Sequence, residues 1–189
     1  MMELIKKQKG LTLSELTIAV VIGLLILLII SSVFLLNQKV LRKSNAKAEL
    51  IQNARIAIDL MSREIRQANK IVTTLPASNS DPATVSNQLF FEDGHNSSSI
   101  QYIKYYLDGK NLKRQIIIYY FETDPSNHVY WNDFDAFGGP NEVILEEKLI
   151  GENFSNLSFY GQDGVNIEFI LEKNNEKIEM KSIINPRNA

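Results

Sequence analysis

The sequence contains no cysteine, which excludes a disulfide scaffold, a zinc-thiolate site and a thiol nucleophile. It has only two histidines, His95 and His128, each in a polar, loop-like stretch with no second histidine at ligand spacing. Both read as surface side chains. Nothing resembles a nucleophile elbow, a phosphate-binding loop or a catalytic dyad in context, so neither an enzyme nor a cofactor is expected. Between residues 11 and 75 there is no proline, and Gly23 is the single glycine, so a helix there meets no breaker. Charge is missing too: Leu16 to Leu36 is a run of twenty-one residues without an ionisable side chain.

That run is the first positive signal. At about 1.5 Å per helical residue it reaches roughly 30 Å, the thickness of a bilayer's hydrocarbon core. A buried soluble helix of this length, apolar all round, needs a large protein around it, and the remaining chain is too short to supply one. The charges that do occur are segregated. Residues 1–15 carry a net +1, residues 39–70 a net +5 and residues 71–189 a net −8. The distal body is therefore acidic and is not expected to bind nucleic acid. Lys and Arg flank both ends of the apolar run and are denser on its downstream side, so counting them alone would place the large domain inside the cell.

The beginning of the chain reads MMELIKKQKG, short, basic and ending in Gly10, followed by Leu11-Thr12-Leu13-Ser14-Glu15-Leu16. Glu15 stands at the edge of the apolar run, where an unpaired carboxylate costs several kcal/mol. A secretory signal peptide has no use for such a group, and its apolar core is normally shorter. This arrangement of basic leader, glycine, glutamate and uninterrupted apolar helix resembles the type IV prepilin and type II secretion pseudopilin family. The resemblance implies cleavage between Gly10 and Leu11 by a membrane prepilin peptidase, with N-methylation of Leu11. It also implies that the Glu15 carboxylate pairs with a neighbouring subunit's N-terminal amine during assembly. A buried carboxylate needs such a partner. By the same resemblance the leader lies inside, the chain crosses the cytoplasmic membrane once, and the C-terminal head is extracytoplasmic. Two departures from the family pattern are Leu11, where phenylalanine is usual, and Ser14, where an apolar residue is commoner.

Beyond Leu36 the helical pattern continues. Ile51, Ala54, Ile58, Met61, Ile65 and Ala68 follow spacings of three and four and form one stripe, with Arg55, Asp59, Arg63 and Arg66 off it. The spacing predicts a continuous helix to about Ile71, whose stripe buries the core of the head. From Pro76 a polar loop gives way to short β-branched and aromatic segments. They are 88–92, 99–107, 115–121, 157–160, 165–172 and 177–183, separated by turn signals such as Asp108-Gly109 and Lys173-Asn174-Asn175. These read as antiparallel strands. Asp133, Asp135 and Gly138 occupy the first, third and sixth places of a calcium-loop pattern. Phe137 and Ile144 fill places where oxygen ligands are needed, so the two aspartates are only weak metal candidates.

The expected fold is α+β and pilin-like, a long N-terminal helix packed against an antiparallel sheet head. Its expected divisions are a leader at 1–10, a transmembrane helix at 11–36, an amphipathic continuation at 37–75 and a strand-rich head at 76–189. The post-membrane stretch QNARIAIDLMSREIRQANK and the order of the later strands resemble minor pilins and pseudopilins of the PilW, PulJ and GspJ kind. That resemblance implies a low-copy subunit that starts or caps a type IV pilus, a competence pilus or a secretion pseudopilus. Its partners would be the prepilin peptidase, other pilins, an inner-membrane assembly platform and the lipid bilayer. A single-pass tethered binding or sensor domain explains the span equally well, but not the register of Gly10 with Glu15.

Overall fold

A computed structural model describes residues 12–80, 85–95 and 99–187. One helix, α1, spans Leu13–Gln67, and nine strands follow. The chain divides into two compact units, residues 1–44 and residues 45–189.

In the first unit the helix is apolar and wholly unburied. Its most apolar eighteen-residue window has no residue covered by the rest of the chain, and Leu24 to Leu28 and Val33 to Leu36 all present exposed side chains. Apolar surface on that scale is stable only in a non-aqueous solvent or against other chains. The absence of helix breakers and the run of Leu, Ile and Val account for its regularity. A single long apolar helix at this end of the chain supports single-pass membrane topology.

The second unit is the head. The helical residues Leu50, Ala54, Ala57, Met61 and Ile65 are fully buried, and Ala46 nearly so. Their spacing of three and four makes a single stripe. Four residues of the stripe the sequence suggested, Ala54, Met61, Ile65 and Ala68, are fully buried, whereas Ile51 and Ile58 are only partly buried and Leu50 and Ala57 take their place. Three of the inward helical residues are alanines, so large strand side chains supply much of the volume between helix and sheets. Helix α1 ends at Gln67 rather than near Ile71. The amides of Ala68 and Asn69 turn away to the carbonyls of Ile65 and Glu92, and Lys70–Ile71 become β1, paired with β2 (Gln88–Glu92).

Two antiparallel sheets cover the helix. The larger contains β1, β2, β3 (Tyr102–Asp108), β4 (Asn111–Phe121), β5 (Asp124–His128) and β6 (Asn141–Gly151), with β6 along the far side of β4. The smaller contains β7 (Phe154–Tyr160), β8 (Val165–Lys173) and β9 (Glu176–Ile184). Alternation decides the faces. Leu89 and Phe91 stand opposite Tyr105 and Ile103 on the inner side of the larger sheet, and Phe159, Phe169 and Leu171 supply the inner side of the smaller one. Full burial of each such side chain contributes about 1.5–3 kcal/mol. The outer side of the larger sheet carries its own cluster, in which Tyr102 stacks on Phe90 at 5.0 Å and meets Tyr119 edge-on at 5.5 Å. The sheets join where the Phe159 amide donates to the Ser86 carbonyl at 2.8 Å.

Two hairpins show the turn chemistry expected of them. Asp108 pairs with Asn111 around Gly109, whose φ of 61° suits the first position of a type II′ turn. Lys173 pairs with Glu176 around Asn174 and Asn175, at φ 50° and 64°, the left-handed pair a type I′ turn requires. The fold is thus α+β, a long N-terminal helix packed on antiparallel strands, as the sequence predicts. Three strands are additions to that expectation: β1, β5 and the whole of β6.

Candidate functional site

The first candidate site is the start of α1. Thr12 is its N-cap. The Thr12 amide donates to Glu15 Oε2 at 2.9 Å, the Thr12 hydroxyl donates to the same oxygen at 3.0 Å, and the Glu15 amide donates back to the Thr12 hydroxyl at 3.3 Å. This is a capping box, threonine followed three residues later by glutamate, which satisfies amide donors that a helix end otherwise leaves without partners. Thr17 adds a hydroxyl bond to the Ser14 carbonyl at 2.9 Å. The Glu15 carboxylate is therefore held against the first helical turn, at the mouth of the apolar run. Gly10 and Leu11 lie outside the described residues.

A second polar constellation lies inside the head, and sequence reasoning missed it. Glu64 sits on α1 between Met61 and Ile65 and is only 7% exposed. Its Oε2 accepts the Tyr105 hydroxyl at 2.5 Å and Arg114 Nε at 3.0 Å, while its Oε1 lies 2.9 Å from an Arg114 terminal nitrogen. Arg114 also reaches Glu146 of β6 at 3.3 Å. One carboxylate thus ties the helix to β3 and β4, with β6 attached through the guanidinium. Burial raises the Tyr105 hydroxyl far above the ordinary tyrosine range, and the Glu64 charge adds to the effect. Burial by itself lowers the pKa of Arg114, but the hydrogen bond and charge of Glu64 outweigh it, and the net shift is upward. Every group is satisfied within the network, and no reacting atom is left free. Its chemistry is structural. The only sequence signal is that Glu64 falls three residues after Met61, in phase with the buried stripe.

On the outer face, Glu147 accepts from Lys113 at 2.8 Å, from the Gln115 amide at 2.6 Å and from the Tyr106 hydroxyl at 2.8 Å. These bonds, that from Lys113 foremost, bring its carboxyl down to about 2. Lys113 is raised in turn, first by Asp108 and then by Glu147.

The weak metal candidates are occupied by turn chemistry. Asp133 accepts the Tyr130 amide at 2.9 Å, and Asp135 accepts the amides of Phe137 at 2.7 Å and Gly138 at 2.9 Å. Among the described residues no group of three or more His, Asp or Glu side chains converges as a metal site. Of the two histidines, His95 is exposed as expected, and His128 departs from the expectation. His95 holds Asp93 at 2.6 Å, and His128 is half-buried in β5 with its Nδ1 shielded from solvent and without a partner among the described residues.

Comparison with protein families finds the prokaryotic N-terminal methylation motif over residues 5–31, a span that contains Gly10, Leu11 and Glu15 and most of the apolar run. No curated protein matches the chain. The motif implies processing by a prepilin peptidase and association with a membrane. Running as it does into a long apolar helix that packs on antiparallel sheets, it points to the prepilin and pseudopilin superfamily.

Proposed function

We propose that this chain is a minor pilin or pseudopilin, made as a precursor and cut between Gly10 and Leu11, with methylation of the new amine at Leu11. The mature subunit stays in the cytoplasmic membrane with its head outside until it enters a type IV pilus, a competence pilus or a type II secretion pseudopilus. There it starts or caps assembly alongside other pilins, on an inner-membrane platform. In this reading the chain is a peptidase substrate and a structural subunit, not an enzyme.

The observation that carries the reading is the methylation motif at residues 5–31 leading into a helix whose apolar surface the chain itself leaves bare. A filament core built from such helices would cover that surface. The likeness of the later strands to minor subunits of the PilW, PulJ and GspJ kind supports the low-copy role. Glu15 is assigned to assembly. Its carboxylate is held by Thr12 in the isolated chain, so pairing with a neighbour's amine exchanges two neutral donors for a cationic one, a stronger bond in a dry setting.

The test is Glu15→Ala in the native host. The expected result is normal leader removal with loss of the subunit from the sheared filament or pseudopilus fraction. Normal incorporation of the variant would remove Glu15 from assembly, and absence of the wild-type chain from any filament fraction would favour a tethered binding domain.

A further inference from the structure

The head carries two surfaces of opposite character. The first is a groove of about 960 Å³ between α1 and β9. Ile56, Ile58 and Met180 give it an apolar floor, and Arg55, Arg63, Arg66 and Arg187 stand around it with Asp59 as the lone acid in the lining. None of the four arginines forms an ion pair with another described residue. Four guanidinium groups beside exposed apolar carbon suit a surface that is acidic and aromatic together, because guanidinium pairs with carboxylates and stacks on rings.

The second surface has that composition. From residue 115 to residue 147 the chain has seven acidic residues and no lysine or arginine. The loop between β5 and β6 lies within this stretch and bears Phe134 and Phe137, 80% and 86% exposed, beside the half-exposed Tyr130 and Trp131. Glu122 and Asp124 flank it on the β4–β5 side and are exposed. The loop is built rather than loose: Asp133 and Asp135 cap its turns, and the Trp131 amide donates to the Tyr102 hydroxyl at 3.3 Å. Aromatic side chains held in this way are the usual anchors of protein interfaces.

We propose that the β5–β6 loop of one copy of this chain docks into the α1–β9 groove of a second copy. The ring edges of Phe134 and Phe137 meet the apolar floor, and the carboxylates of Glu122 and Asp124 face the arginines. Each copy carries one groove and one loop, so the contact joins unlike surfaces, and in a low-copy subunit it holds a pair of copies together. It deepens the filament-subunit reading, on which it rests for holding copies side by side in one membrane, by naming the surfaces through which heads meet.

The lack of native cysteine makes the test direct. A Ser62→Cys copy, reporting the groove, and an Ala136→Cys copy, reporting the loop, are co-expressed as full-length chains with different tags, and membranes are treated with a mild oxidant. The expected product is a mixed disulfide dimer, with none from Ala136→Cys paired with Lys148→Cys on β6. Arg63→Glu with Arg66→Glu in the groove copy should lower the yield about tenfold, since like charges face each other across the contact. Adding Glu122→Arg and Asp124→Arg to the loop copy should restore at least half of it. No mixed dimer, a yield indifferent to charge reversal, or an adduct of Ser62→Cys with a different protein would each overturn the proposal. Leader removal is read on the same samples. Processed chains that fail to cross-link sink the docking contact and leave the pilin reading standing, whereas cross-linked chains that keep their leader do the reverse.

Discussion

Replacing Arg114 with methionine keeps most of the side chain's volume and removes its charge. Glu64 then keeps the Tyr105 hydroxyl but loses both guanidinium contacts, 2.9 Å and 3.0 Å long, in a site only 7% exposed. A buried carboxylate stripped of its cation costs about 3–5 kcal/mol. With a urea m-value of about 2 kcal/mol/M, the unfolding midpoint of the head should fall by roughly 2 M. The assay is urea unfolding of the full chain in a non-ionic detergent, followed by the near-ultraviolet circular dichroism of the tyrosine cluster. Adding Glu64→Gln to Arg114→Met should recover most of the loss, because a neutral amide can still accept from Tyr105. The coupling between the two positions is the quantity of interest, since it isolates the charge pair from the packing of either side chain. A single-variant loss below about 1 kcal/mol, the range of exposed ion pairs, would refute the claim that this pair is desolvated and locks the helix to the sheet.

Three further outcomes follow from the geometry. Gly94→Ala should destabilise the head by about 2 kcal/mol or more, since a Cβ there would lie 1.9 Å from the Gln67 carbonyl at the end of α1; an unchanged urea midpoint would contradict it. Glu147, lowered to about 2, contributes stability that is complete above the ordinary carboxylate pKa and is lost as pH falls from there towards 2. Glu147→Gln should therefore flatten the acid limb of the stability curve in that window, and a variant with the wild-type limb would count against it. Thr12→Ala removes the N-cap and should loosen the first turn of α1 by about 1 kcal/mol, visible as faster amide exchange at residues 14–16 in micelles with the rest of the helix unaltered.

Much of this architecture could be read from sequence because it rests on local periodicity. The apolar run, the buried stripe on the second half of α1 and the strand 88–92 each follow from spacing alone. What escaped depended on contacts between distant segments. β6 carries Glu142, Glu146, Glu147 and Lys148, and its pairing with β4 shifts register after Ile144 and after Leu149, so extra residues at Leu145 and Ile150 break the period of two that marks a strand. β5 contains Pro125, which argues against a strand unless it lies at an edge. The end of α1 has no glycine or proline to mark it and is set by the pairing of Lys70 and Ile71 with β2. Glu64 resembles any helical glutamate until Arg114, fifty residues later, is brought beside it. The Thr12–Glu15 capping box escaped as well, although threonine three residues before glutamate ahead of an apolar run is its signature.

The measurement that bears most directly on the account is the intact mass of the membrane-extracted chain from its native host, beside a Gly10→Ala variant. The account predicts that the wild-type chain has lost residues 1–10 and gained one methyl group, and that the variant keeps its leader unmethylated. A wild-type chain that retains its leader, in cells whose peptidase processes other prepilins, would contradict it.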